Sequence, residues 1–293
     1  TNDLFIKIMI IRNKLTLLCL SFFIVFLGSH LVCDAQEIKV MSYNIRYASP
    51  NDGPNSWQKR KDDMIKALLK IKPNVIGLQE VVHSQLMDIK QGMQEYSFLG
   101  VGREDGKKEG EFSPIFYSNK ELKLLESNTF WLSETPDQIS VGWDAALERV
   151  CTYARFFQNK NGKEFWIFNT HFDHIGDLAR ANAVKLILSK IKYLNKTEIP
   201  VIITGDFNLE PHEEPIKIIK SVFQDVQENL SNDAINYGTF TGFDIKTFGN
   251  RRIDYIFQNG FDLIYADHLW LKTKEKLWVS DHHPVLALLS FKN

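Results

Sequence analysis

Five apolar segments of this chain end in side chains able to hold a hard divalent cation: Asn44 in "SYNIR", Glu80 in "GLQE", Asp206 with Asn208 in "TGDFN", Asp254 in "RIDY" and Asp281 in "SDHH". Singly, an Asp or Asn after a strand is ordinarily a turn former. Yet a carboxylate at the end of a buried strand is expensive to desolvate without a partner. Together the set offers the oxygen ligands that Mg²⁺, Mn²⁺ or Ca²⁺ takes, and no Cys/His cluster points to zinc.

Such ligands need elements that converge. "EIKVMSYNIRY" (37–47) reads as a strand, and "WQKRKDDMIKALLKIK" (57–72) puts Met64, Leu68 and Ile71 on one helical face. Pro73 opens "PNVIGLQEV", a buried strand. A second helix is expected over Ser84 to Glu95, with strands in "YSFLGVG", "SPIFYS" and "LKLLESNTFWLS". "VCTYARFFQNKNGKEFWIFNTHFD" reads as a hairpin turning at Asn161-Gly162. A long helix follows from about Asp177 to Leu194, then strands in "IPVIITGDFN", "RRIDYIF", "DLIYADHLWL" and "HPVLALLSF". Strands outnumber helices and several pair as hairpins. The expected class is therefore α+β: a four-layer α/β sandwich in which two mostly antiparallel or mixed β-sheets pack face to face and helices cover their outer faces. No Ser/Pro/Gly linker divides residues 36–293, so they are read as one domain. "PNVIGLQE" and "IPVIITGD" each run from proline through an apolar strand to an acid, the echo a duplicated half-domain would leave.

The 293 residues are 44% hydrophobic and 12% aromatic, ample for a core and unlike a disordered chain. Formal charge is -1 and no Lys/Arg block occurs, so no extended electrostatic grip on nucleic acid is advertised. Residues 1–35 differ from the rest. Arg12 and Lys14 precede the apolar run "LTLLCLSFFIVFLG" and then "SHLVCDAQ", the order of a secretory signal, with cleavage expected after Ala35 and Met9 as a candidate start. The run is short of the ~20 residues a membrane-spanning helix needs. Lipidation at Cys33 is the rival reading, weakened by Val32 before it. Cleavage would leave Cys151 as the one cysteine, hence no internal disulfide. Losing Lys7, Arg12 and Lys14 against Asp3 and Asp34 moves the charge from -1 to -2. The expectation is an exported, periplasmic or extracellular monomer with no stable membrane span.

"SYNIR", "GLQE", "NTHFDH", "TGDFN", "RRIDYIF" and "SDHHPV" occur in the order and rough spacing of the endonuclease/exonuclease/phosphatase superfamily, which residues 37–293 resemble throughout. "FWLSETP" with "GWDAA" is similar to an uncharacterised, mainly bacterial branch of it. The resemblance implies a Mg²⁺- or Mn²⁺-dependent hydrolase of phosphate esters, with roles for particular residues. Glu80, with Asn44 beside it, is implied as the principal metal ligand, and Asp281 completes the acidic floor. Asp206 and Asn208 are implied to orient water and hold a phosphate oxygen; in some members the counterpart of Asp206 also meets a metal. His282 is implied as general base, a role suited to a group whose pKa lies near working pH, with Asp254 rather than Asp281 fixing its ring. His171 would donate to the phosphate, oriented by Glu111. Glu109 lies two residues from Glu111, and only the downstream strand "IFY" favours the latter. His283 is read as structural, His83 and His174 as surface or turn residues, and Trp131 and Trp166 as core.

Specificity must come from loops. Arg46, Arg103, Arg149 and Arg180, with Lys107 and Lys108, lie in or near segments expected to edge the site, where they would grip a phosphate-rich substrate or simply be solvated. Trp143, Phe240 and Phe243 would stack a base or sugar, or pack. Hydrolysis of phosphodiesters in nucleic acid leads, ahead of a phosphatase for a small sugar, inositol or lipid phosphate. A catalytically silent binding protein on the same fold is the reading from another class.

Overall fold

The strand Glu164–His171 is buried on both faces: Trp166 and Phe168 enter one apolar cluster while Phe165 and Ile167 enter another. That alternation is the period-two geometry of a strand with packing on either side, and it sets the layering of the whole molecule. The computed structural model describes residues 37–228 and 238–292. The amino-terminal run read as an export signal, with Cys19 and Cys33, lies outside the described residues. In chain order the elements are β1 (Glu37–Asn44), α1 (Trp57–Ile71), β2 (Val75–Gln79), α2 (His83–Gly92), β3 (Tyr96–Leu99), β4 (Ile115–Ser118), β5 (Leu122–Trp131), β6 (Val150–Gln158), β7 (Glu164–His171), α3 (Asp177–Leu194), β8 (Val201–Asp206), α4 (Glu214–Lys220), β9 (Gln224–Asp225), β10 (Asp254–Asn259), β11 (Phe261–His268) and β12 (Val285–Phe291).

Two six-stranded sheets form, ordered β11-β12-β1-β2-β4-β3 and β5-β6-β7-β8-β10-β9. Between them lies a core that includes Ile38, Val40, Phe156, Phe165, Ile202, Ile256 and Leu289. The first sheet's outer face packs Met41, Ile76 and Leu78 against Trp57, Met64 and Leu68 of α1 and Leu86 and Ile89 of α2. The second sheet's outer face packs Trp166, Phe168 and Ile203 against Ala183, Val184 and Ile187 of α3 and Ile216 and Ile219 of α4. This is the expected four-layer sandwich. Each fully buried side chain of this size contributes roughly 1.5–3 kcal/mol, and the three clusters supply the stability that an internal disulfide does not.

The echo between "PNVIGLQE" and "IPVIITGD" is present in the topology. β1 and β2 pair in parallel across α1, and β7 and β8 pair in parallel across α3; β2 then pairs antiparallel with β4, as β8 does with β10. Glu80 after β2 and Asp206 at the end of β8 therefore occupy equivalent places in the two halves. Directly below them the sheets approach closely at Gly77, where a Cβ would lie 2.1 Å from Thr204 Oγ1 and 2.3 Å from Asn169 Oδ1. A buried network fills the remaining space: Gln79 Nε2 donates to Asn169 Oδ1 (2.7 Å), Thr204 Oγ1 donates to the same oxygen (2.9 Å), and Asn169 Nδ2 donates to the Leu78 carbonyl (2.7 Å).

The structure differs from the sequence reading at the second helix, which runs His83–Gly92 and not Ser84 to Glu95, at the end of β1 and in a helix the sequence did not suggest. β1 stops at Asn44, not Tyr47, because the chain turns through Arg46 at φ 58°. α4, too short to show a periodic pattern, begins with Glu214-Pro215, proline being well suited to a helix's first turn. Among the described residues no helix is long and apolar enough to cross a membrane.

Candidate active site

Strand register brings the chemistry-bearing residues together. His171 of β7 lies beside Asp206 of β8 in parallel register, and Asp254 of β10 lies beside Asp206 in antiparallel register. These three form a row across one sheet. From the other sheet come Asn44 at the end of β1 and Glu80 just past β2, held at φ 60°. The loop before β12 supplies Asp281 and His282. Its height is fixed by a neighbouring segment: Thr241 N–H donates to the Asp281 carbonyl (2.7 Å), His283 N–H donates to the Thr239 carbonyl (2.7 Å), and Thr239 Oγ1 accepts from the N–H of Ile253 and of Asp254.

Asp206 is the hub. Its Oδ2 accepts from Asn44 Nδ2 (2.9 Å) and lies 3.6 Å from His171 Nε2 and 3.8 Å from His282 Nε2, while its Oδ1 accepts from Asn208 N–H (3.0 Å). Burial, and then the charge of Asp254, push its pKa up to about 7. His282 Nδ1 lies 2.8 Å from Asp254 Oδ2. Burial opposes charge on that ring, but the charge and hydrogen bond of Asp254, with Asp206 and Asp281, outweigh it and hold His282 well above the usual histidine range. His171 goes the other way: burial first, then the positive charges of Arg149 and Arg103, hold it well below that range, so it is neutral. The two histidines that flank Asp206 are thus shifted in opposite directions. His171 Nε2 lies 3.2 Å from Asn208 Nδ2 and its Nδ1 lies 3.8 Å from Glu111 Oε2.

One atom each from Glu80, His171 and Asp206 lie within 4.8 Å of one another, and the same holds for Asp206, Asp254 and His282. A buried set of carboxylates whose mutual repulsion raises Asp206 is the donor chemistry that a divalent cation relieves. Glu80 and Asp206 fit that cation. Asn44, expected beside Glu80 at the metal, lies between the two acids: its amide nitrogen donates to Glu80 Oε1 (2.9 Å) and Asp206 Oδ2, and its oxygen accepts from Arg46 N–H (3.0 Å). Asn44 thus clamps the two acids. Asp281 lies near Glu80, whose charge raises it after burial does, but falls outside both compact groups.

The cavity above these residues has a volume of about 490 Å³ and is lined by Arg46, Arg149 and His174 among others. Three residues expected at its edge are not there. Arg103 is buried behind Glu111, paired with it through Nη1–Oε2 at 2.9 Å and Nη2–Oε1 at 3.3 Å, so it orients Glu111 and touches no cavity wall. Arg180 is buried on α3, donating to the Asp173 carbonyl (3.1 Å) and to Asp177. Trp143 turns aside at φ 50° with its N–H on Glu134. The "GWDAA" motif serves α3 instead: Asp144 accepts from Leu178 and Ala179 N–H (3.2 and 2.7 Å), and Gly176 leaves room for it. From that segment it is Leu147 and Arg149 that reach the cavity. Glu111 lines the cavity while Glu109 is exposed in a turn, with Lys107 and Lys108, around Asp105. His283 packs edge-on against Trp278 (4.6 Å).

Sequence reasoning missed Arg60. It is 1% exposed and donates from Nε to the Asn55 carbonyl (2.8 Å), from Nη1 to those of Ile45 (2.5 Å) and Val279 (3.2 Å), and from Nη2 to that of Arg46 (2.7 Å). One guanidinium therefore ties the loop after Asn44 to the loop before Asp281. The signal was present: Trp57, Arg60, Met64 and Leu68 form a single buried stripe of α1, with a cation in the middle of it. Phe240, expected to stack a base or sugar, does line the cavity, whereas Arg251 and Ile253 were missed because their loop has no periodicity.

Residues 41–282 match the model of the Endonuclease/Exonuclease/phosphatase family. A protein of that family from Bacteroides thetaiotaomicron has a similar solved structure, with TM-score 0.82, 36% identity, and coverage of 88% of this chain and 98% of that one. So has the mannosyl-6-phosphatase of the same organism, with TM-score 0.81, 36% identity and coverage of 87% and 100%. Among curated proteins, Protein angel of Drosophila melanogaster is 28% identical over 192 residues, covering 62% of this chain and 52% of its own length. The chain spans about half the length of the curated relatives it matches.

Proposed function

We propose a function from one premise: the chain belongs to the Endonuclease/Exonuclease/phosphatase family, whose members are divalent-metal-dependent hydrolases of phosphate esters. Our reading is a Mg²⁺- or Mn²⁺-dependent phosphomonoesterase acting on a small phosphorylated sugar. The observation that carries it is a solvent-open cavity of about 490 Å³ lined by Glu80, His171, Asp206, Asn208 and His282 together with Arg46 and Arg149. That volume suits a small ligand, and the likeness to a mannosyl-6-phosphatase at 36% identity supports the same class. Cleavage of nucleic-acid phosphodiesters stands second, favoured by similarity to proteins such as a probable RNA exonuclease of Saccharomyces cerevisiae at 26% identity.

Glu80 and Asp206 would hold the cation, which supplies charge neutralisation at the phosphate and leaving oxygen when bound. The remaining work belongs to side chains. Asn208 and Asp206 orient a water molecule, and neutral His171 presents a ring nitrogen toward a phosphate oxygen. His282 takes the water's proton at Nε2, and Asp254 at Nδ1 fixes the ring and stabilises the imidazolium that forms. Water attacks phosphorus directly, the bond to the sugar oxygen breaks, and that oxygen takes a proton from solvent and leaves as an alcohol, while His282 returns its proton to solvent. No covalent enzyme intermediate is required. Arg103 holds Glu111 against His171 throughout. We place this activity outside the cytoplasm, on the signal-like composition of residues 1–35.

The test is turnover of the full chain on mannose 6-phosphate, bis(p-nitrophenyl) phosphate and single-stranded DNA and RNA with Mg²⁺ or Mn²⁺. Preferential phosphate release from the monoester supports the reading. Cleavage of diesters or polymer alone overturns it in favour of the second.

A further inference from the structure

The cavity has two chemically different sides. One is the floor of acids and histidines. The other is the set of lining residues Leu147, Phe240, Ile253 and Arg251. We propose that Phe240 with the Arg251–Glu210 pair is the subsite that recognises the polyhydroxylated leaving group of the substrate. This rests on the phosphomonoester reading and names the part of the molecule that carries its specificity.

Phe240 is strung between the base and the rim. Isolated β-bridges join it to His282 on one side and to Arg251 on the other, and its N–H donates to the Arg251 carbonyl (3.0 Å). Its ring lies 5.0 Å from the His282 ring at 62°. Phe240 and His282 line the same cavity, so the Phe240 ring faces the part of the substrate that fills it beyond the phosphate. Arg251 Nε donates to Glu210 Oε1 at 3.2 Å, with the two side chains 45% and 35% exposed. Among the described residues no other hydrogen-bond partner engages the Arg251 Nη groups. Arg251 lines the cavity and Glu210 is bonded to it, and a donor beside an acceptor matches adjacent hydroxyls, one accepting from the guanidinium and one donating to the carboxylate. A sugar ring carries both features: C–H faces for Phe240 and vicinal hydroxyls for the pair. A lipid alcohol would leave the pair unused, and a phenol would leave it without hydroxyls. Read as a surface ion pair alone, Arg251–Glu210 would have no bearing on substrate choice.

The experiment compares kcat/KM for mannose 6-phosphate and for p-nitrophenyl phosphate in the full chain with Mg²⁺. The proteins are wild type, Arg251→Met, Glu210→Gln and Phe240→Leu, with thermal midpoints as folding controls. The ratio of sugar phosphate to aryl phosphate is expected to fall about 10-fold or more in Arg251→Met and in Phe240→Leu, the value of one charge-assisted contact. For Arg251→Met the loss should lie mainly in KM. An unchanged ratio in all three variants, with wild-type turnover of the sugar phosphate intact, overturns the subsite alone. Wild-type failure on every monoester overturns the parent reading and the subsite with it.

Discussion

Asp254 Oδ2 and His282 Nδ1 lie 2.8 Å apart, although 28 residues separate them in sequence and Asp281 is the immediate neighbour of His282. Asp281 points the other way, toward Arg46 and Glu80. Fold, not adjacency, selects the carboxylate that orients the ring. We predict that Asp254→Asn and His282→Ala each lower kcat by about 10²-fold or more, and that the double variant is little worse than either, since paired groups act as a unit. Additive losses measured by steady-state kinetics would separate the two residues.

Crowded acids around Asp206 make a divalent cation stabilising. Added Mg²⁺ or Mn²⁺ should raise the thermal midpoint of the wild-type chain, by mass action on the folded state. Chelator should reverse the rise, and Glu80→Gln should blunt it. A midpoint indifferent to both metals would remove Glu80 and Asp206 from the metal assignment.

Arg60 carries a structural load that is unusual for a charged residue. Removing it strands the carbonyls of Asn55, Ile45 and Val279. We predict that Arg60→Met destabilises the fold by about 3 kcal/mol or more in chemical denaturation, because each stranded buried acceptor costs roughly 1–3 kcal/mol. Arg60→Lys keeps the charge and loses the fork, so it should recover part of the stability while still weakening Mn²⁺ binding by calorimetry. Equal stability of wild type and Arg60→Met would contradict the clamp.

His268 gives the fold an acid limit away from the site. Burial first, then the charges of Arg252 and His283, lower its pKa from 6.5 to about 3. Between those values the unfolded chain binds a proton that the folded chain refuses. Its contribution is therefore fully present above pH 6.5 and is lost as pH falls toward 3. Unfolding in urea at pH 7.5 and pH 4.5 should show a smaller difference for His268→Gln than for wild type. The same difference in both proteins would assign the acid sensitivity elsewhere.

Gly77 marks the closest approach of the two sheets. Gly77→Ala would set a methyl group 2.1 Å from Thr204 Oγ1 inside a hydrogen-bonded core. We predict a loss of about 1–3 kcal/mol from overpacking, read from the denaturation midpoint. Thr204→Ser should not rescue it, since the hydroxyl is the obstructing atom.

Strand ends were legible in the sequence because acids closing apolar runs are costly features, and Glu80, Asp206, Asp254 and Asp281 all lie where two sheets converge. The α3 boundaries and the Asn161-Gly162 turn were equally legible from local chemistry. Side-chain direction was not. Asn44 is a donor here because its oxygen is engaged by its own loop, a fact that depends on Arg46 taking φ 58°. Arg103 and Arg180 are cations near the site in sequence, yet each found a buried partner first. Trp143 belongs to a motif whose purpose, capping α3 through Asp144, emerges only when two distant segments meet. Arg251 becomes a wall through a β-bridge to Phe240 that no pattern announces.

The central claim is that Glu80, Asp206 and His282 form one metal-dependent phosphomonoesterase site. It is tested most directly by phosphate release from mannose 6-phosphate by the full chain in Mg²⁺ or Mn²⁺, alongside Glu80→Gln and a chelated control. The account predicts turnover by wild type, abolished by chelator, restored by either cation and reduced by at least about 10²-fold in Glu80→Gln. Turnover that survives chelation, or that Glu80→Gln retains in full, would contradict it.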